Sequence, residues 1–169
     1  MNEYMKSVLK EMYDKKLVSI SRMGSMVCFS FGKYIECKNY KGELVLKSEY
    51  AIHIQCPWRV SGTDCIEFAY SDIFMPIDER NCSEDFEWDK QGNNVFDYKS
   101  DTWLKLHDNQ IIINKIELSR QRDLKIYLSN NCKIEVFIDN STEEECWRLI
   151  KRGNSTEHFV FTGINIIAE

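Results

Sequence analysis

A chain of 169 residues with 43% hydrophobic side chains is sized for one domain that buries about two thirds of its unfolded surface, so it needs no covalent staple. A net charge of −5 argues against a surface that binds nucleic acid phosphates. Seven cysteines, at 28, 37, 56, 65, 82, 132 and 146, are odd in number and contain no Cys-x-x-Cys pair, and several fall on apolar faces of predicted strands, which suggests free thiols in a reducing cytosol.

Residues 1–16 lack the continuous apolar run of a signal peptide, and no window reaches the ~20 apolar residues of a membrane span, so a cytoplasmic location is expected. Met1 to Leu17 is predicted helical, because Met5, Val8, Leu9, Met12 and Tyr13 recur at spacings of three and four. Strands follow at Val18 to Arg22 and at Met26 to Phe31, the latter with Val27, Phe29 and Phe31 on one side. A turn at Gly32-Lys33 leads into a strand from Tyr34 to Lys38, and a second turn at residues 39–42 leads through Leu44 and Leu46 to a core strand. That strand, Tyr50 to Gln55, alternates Tyr50, Ile52 and Ile54 with Ala51, His53 and Gln55, the period of two that one buried face requires. Pro57 has no amide hydrogen, so pairing is expected to stop there, leaving Trp58 and Arg59 on an irregular shoulder with the indole nitrogen partnered at the edge. Short strands joined by short turns imply antiparallel pairing.

After a loop at Ser61 to Asp64, Cys65 to Tyr70 reads as another strand. From Asp72 to Asp101 there are nine acidic residues against three basic ones, a local balance of −6 that accounts for the whole excess of negative charge. The segment carries Phe74, Phe86, Trp88, Val95 and Phe96, which disordered acidic tracts lack, so an ordered excursion anchored by its aromatics is expected. Gln110 to Leu118 is predicted as a strand with Ile112, Ile116 and Leu118 on one face. Leu124, Ile126 and Leu128 share a face of the next strand, and Cys132, Ile134, Val136 and Ile138 a face of the one after. A three-residue Ser129-Asn130-Asn131 loop with Asn131 left-handed sets Leu128 opposite Cys132 and Ile126 opposite Ile134, whereas a two-residue turn mixes the faces. Ser141-Thr142-Glu143-Glu144 has the form of a capping box, and with Cys146, Trp147, Leu149 and Ile150, then Lys151, Arg152 and Gly153, it predicts a short late helix. His158 to Ile167 is predicted as a closing strand, with Phe159, Phe161 and Ile164 inward.

The run His53-Ile54-Gln55-Cys56-Pro57-Trp58-Arg59, with Glu135 to Asp139 and the later Trp147-Arg148-Leu149, resembles a family of small uncharacterised bacterial proteins that carry this strand and a late Trp-Arg-Leu helix. The resemblance implies no activity, cofactor or catalytic residue. His53 and Cys56 are three apart on a strand and face opposite ways, so they do not converge on a metal without a bulge. Cys146 follows three glutamates, which disfavour a thiolate, and reads as packing; Arg148 is expected to pair with a local glutamate. No metal or cofactor is expected.

These readings predict a single α+β domain over 1–169. Its mainly antiparallel, strongly curved sheet forms a sandwich or partly open barrel, with an amino-terminal helix and a short late helix. The expected function is that of a non-enzymatic cytosolic binding protein, an immunity protein that neutralises a basic toxin and touches neither nucleic acid nor membrane. Its expected contact residues are Asp78, Glu79, Glu84, Asp85, Phe86, Glu87, Trp88 and Asp89, carboxylates interleaved with aromatics. The alternative is a small enzyme or ligand-binding domain with a pocket near His53, Trp58 and Arg59; a third is a structural subunit with an extensive apolar surface.

Overall fold

The computed structural model describes residues 3–39, 41–78, 86–108, 110–153 and 155–169. Two open antiparallel sheets make an α+β sandwich. One has six strands in the order β1 (Leu17–Met23), β2 (Met26–Lys38), β3 (Leu44–Ile54), β9 (Glu145–Arg152), β10 (Thr156–Thr162) and β11 (Ile166–Ala168). The other has five, in the order β5 (Ile66–Ala69), β4 (Trp58–Ser61), β8 (Lys133–Val136), β7 (Leu124–Leu128) and β6 (Ile113–Leu118). Inward side chains from both sheets, among them Phe29, Ile52, Leu149, Val60, Ile134 and Ile126, form one core. The amino-terminal helix α1 (Glu3–Glu11) ends earlier than its periodicity suggests and adds Met5, Val8 and Leu9 to that core.

The inward set of β2 and β3 is the expected one: Val27, Phe29, Phe31, Tyr50, Ile52 and Ile54 are all buried. Gly32 is not a turn but a bulge within a continuous β2, with φ +84°, a conformation that favours glycine. A Cβ there would also collide with the Glu49 carboxylate. Pro57 does stop pairing, and here the chain leaves one sheet for the other, while the amides of Gln55 and Cys56 both donate to the Cys146 carbonyl at 2.8 and 3.2 Å. Trp58 and Arg59 are not on a shoulder: they open β4, and Trp58 points into the core, edge-on to Phe29, Phe68 and Phe96. Its indole nitrogen is buried with no acceptor among the described residues, so packing of the ring outweighs the expected hydrogen bond.

The β7–β8 hairpin takes the expected register, Ile126 opposite Ile134, with Leu128 N–H donating to the Cys132 carbonyl and Asn131 at φ 63°. In β6 a register shift between Ile113 and Lys115 changes the phase, so Ile111, Ile113 and Ile116 are buried rather than the set containing Ile112. The last expected strand is a hairpin, β10 turning into β11, and Ile164 is exposed in the turn while Phe159 and Phe161 face inward.

The late helix is present but lies elsewhere. Residues 145–152 form β9, a central strand between β3 and β10, and not a helix. The capping signals close local turns: the Thr142 amide donates to the Asn140 side chain, and the Glu144 amide to the Thr142 hydroxyl. A central strand buried on both faces reads as a near-continuous apolar run, which periodicity alone does not separate from a helix. Cys146, Trp147 and Leu149 join the core, and Ile150 is buried outside it. The late helix is instead α2 (Val95–Leu106), which begins inside the acidic segment and runs past its end; the Asn94 side chain caps it by accepting from the Asp97 amide, and Phe96, Ser100 and Trp103 form its buried stripe.

Candidate functional site

Arg22 near the end of β1 and Asp97 in the first turn of α2 organise the acidic segment. The two side chains are 1% and 4% exposed and join through two bonds, Nε and Nη2 donating to the two carboxylate oxygens at 2.7 Å each. The same guanidinium donates to the carbonyls of Trp88, Asp89 and Lys90, and the Gly92 amide donates to Asp97 at 2.7 Å. Asn94 adds a bond to the Trp88 carbonyl. One buried ion pair thus fixes the backbone from 88 to 92 in a single shape, and Phe74 packs on Trp88 with ring centroids 5.0 Å apart.

Around this hub the surface is mixed. Glu87 and Asp89 are exposed, while Phe86 and Trp88 are half-buried. Phe74, Met75, Ile77 and Tyr98 are exposed apolar neighbours in sequence or across the fold. A groove of about 450 Å³ is lined by Ile77, Gln91, Tyr98, Asp101 and Leu104, with the ion pair's Asp97 in its wall. Asp78 is half-buried, and Glu79, Glu84 and Asp85 lie outside the described residues.

Not all of the segment's acidity reaches solvent. Asp97 is neutralised from within by Arg22, Asp72 accepts the Ala69 amide, and Asp101 pairs with Lys105 one helical turn on. The charge count in sequence therefore overstates the outward charge, because partners far away in the chain, such as Arg22, do not enter a local count.

His53, Trp58 and Arg59 are not brought together. Trp58 lies in the core, Arg59 lies on the outer face of β4 with its Nε donating to Glu135 at 2.8 Å, and His53 lies on the outer face of the other sheet. The three side chains do not share a face, since a strand sends neighbours to opposite faces and Pro57 moves the chain between sheets. Glu135 is a structural centre: burial opposes its charge, but bonds from Arg59 and Ser61 and the charges of Arg59 and Lys133 win, holding its carboxyl at about 2.

Cys56 and Cys146 are both buried, and burial raises both thiols, so neither is poised as a nucleophile. Arg148 pairs with Glu145 as expected and also bonds His158 Nδ1 at 2.9 Å. Among the described residues no three His, Cys, Asp or Glu side chains group as metal ligands, and no helix is long and apolar enough to cross a membrane. Asp97 and Arg22 were the residues that a reading of the sequence missed: Asn94-x-x-Asp97 followed by the Phe96, Ser100 and Trp103 spacing signalled the helix, but nothing local signalled the arginine. Comparison with models of protein families, with curated proteins and with solved structures found no match to this chain.

Proposed function

We propose that the protein is a non-enzymatic, cytoplasmic binding protein of the immunity type, covering a basic toxin with the acidic and aromatic segment 72–101. The observation that carries this reading is the Arg22–Asp97 pair, which holds residues 88–92 by four carbonyl and amide bonds beside exposed Glu87 and Asp89. A surface fixed before binding loses less entropy on association, and carboxylates beside aromatic anchors suit a cationic partner. Phe74, Met75, Ile77 and Tyr98 supply apolar contact around the charges.

Attraction between opposite charges speeds encounter and is screened by salt, so affinity for the partner falls as ionic strength rises. The test uses the partner recovered with the protein from its native cytosol and then purified. Substituting Glu84→Gln, Asp85→Asn, Glu87→Gln and Asp89→Asn together weakens binding and flattens its salt dependence. Affinity indifferent both to salt and to these four substitutions overturns the reading.

A further inference from the structure

The face of the six-stranded sheet turned away from the core holds a second, oppositely charged feature. Cross-strand register aligns Ser21, Cys28, His53 and Arg148 in one row, and Ser30, Ala51, Ile150 and His158 in the next. Small side chains on β1, β2 and β3 lie beside long ones on β9 and β10; Ala51 and Ile150 are buried beneath this layer, and Ser30, His53 and Arg152 are half-buried.

Arg152 follows Ile150 by two residues on the same face of β9 and reaches over β3, its Nη1 donating to the Ser48 carbonyl at 2.9 Å and lying 3.5 Å from the hydroxyl. Its Nε and Nη2 have no acceptor among the described residues. This is the guanidinium edge that grips two oxygens of a carboxylate or phosphate. Nearby carboxylates are committed elsewhere: Glu145 binds Arg148, and Glu49 binds the Lys15 ammonium and the Lys33 amide. His53 is half-buried, and neither of its ring nitrogens has a partner among the described residues.

A cation half removed from water without a counter-ion is costly, and a bound anion offsets that cost. Burial indeed lowers the Arg152 guanidinium from its ordinary value, with only the Cys28 and Cys37 thiols opposing. We infer that this part of the outer face is a binding site for an oxyanion group, a phosphate or a carboxylate, gripped by the free edge of Arg152, with His53 and Ser30 on the same face of the sheet. The site lies apart from the acidic segment and does not depend on the reading proposed for it.

Inorganic phosphate and acetate are titrated separately into the full chain at constant ionic strength set with chloride, with the His53 ring and the Arg152 Nε–H followed by NMR. At least one anion gives saturable shifts centred on these two residues and the Ser30 amide, and the tighter of the two identifies the oxyanion. Arg152→Gln weakens that binding at least tenfold while amide signals of the five-stranded sheet stay in place. Arg152→Lys, which keeps the charge but loses the paired donors, weakens it as well. Shifts that do not saturate, that spread over exposed lysines, or that persist unchanged in Arg152→Gln overturn the proposal. If both variants fail to fold, the wild-type titration alone decides.

Discussion

Replacing Arg22 with Met removes the charge at the hub of the acidic segment while keeping most of the side chain's apolar volume. The guanidinium makes two 2.7 Å bonds to Asp97 and three to the carbonyls of Trp88, Asp89 and Lys90, and almost none of it is exposed. Its loss leaves the Asp97 carboxylate buried with only the Gly92 amide, the Gln91 amide group and water to receive it. Removing one partner of a buried pair costs about 3–5 kcal/mol, and at about 2–4 °C per kcal/mol for a domain of this size Tm falls by roughly 6–20 °C. Removing both charges costs less, because no isolated charge remains, so Arg22→Met with Asp97→Leu recovers part of the loss. Thermal unfolding measures the total, and hydrogen exchange of the peptide covering 86–94 shows where order is lost. A drop under about 1 kcal/mol, or exchange in that peptide no faster than in wild type, refutes the idea that the pair fixes the segment.

Further consequences follow from other sites. Glu135 has a carboxyl lowered from 4.5 to about 2, so its contribution to stability is complete above pH 4.5 and is lost as pH falls towards 2. Glu135→Gln therefore costs roughly 2 kcal/mol at neutral pH and far less near pH 2, read from urea midpoints across pH. Asn131 sits at φ 63°, so Asn131→Gly changes stability by a few tenths of a kcal/mol at most, while Asn131→Val costs about 1–2 kcal/mol in the same assay. Trp147 is fully buried, stacks on Phe161 at 3.5 Å and donates its indole N–H to the Arg122 carbonyl, so Trp147→Ala costs about 3–5 kcal/mol. A cost under about 1 kcal/mol there contradicts its place in a central strand.

The features legible in sequence were those fixed by local alternation. Val27, Phe29 and Phe31, the Tyr50 to Ile54 strand, and the Asn131 loop all follow from a period of two and one constraint on φ, without reference to distant residues. Residues 145–152 were misread because Trp147-Arg148-Leu149-Ile150 is apolar on both faces of a central strand, and the preceding Asn140 and Thr142 turns imitate a helix cap. The candidate surface was legible as composition but not as geometry. Phe86, Glu87, Trp88 and Asp89 stand out by their interleaving, whereas the arginine that holds the backbone at 88–90 is 66 to 68 positions away and belongs to an edge strand. His53, Trp58 and Arg59 lie apart for the opposite reason: nearness in sequence is not nearness in space across a proline that carries the chain from one sheet to the other.

The most direct test of a pinned, partner-binding acidic surface is the affinity of the purified native partner for wild type and Arg22→Met, measured by calorimetry at low and high salt below the Tm of both. The account predicts tighter binding to wild type, weakened by salt, and a loss in Arg22→Met that reflects the entropy of ordering residues 86–94 on association. Equal affinities for the two proteins, unchanged by salt, contradict it.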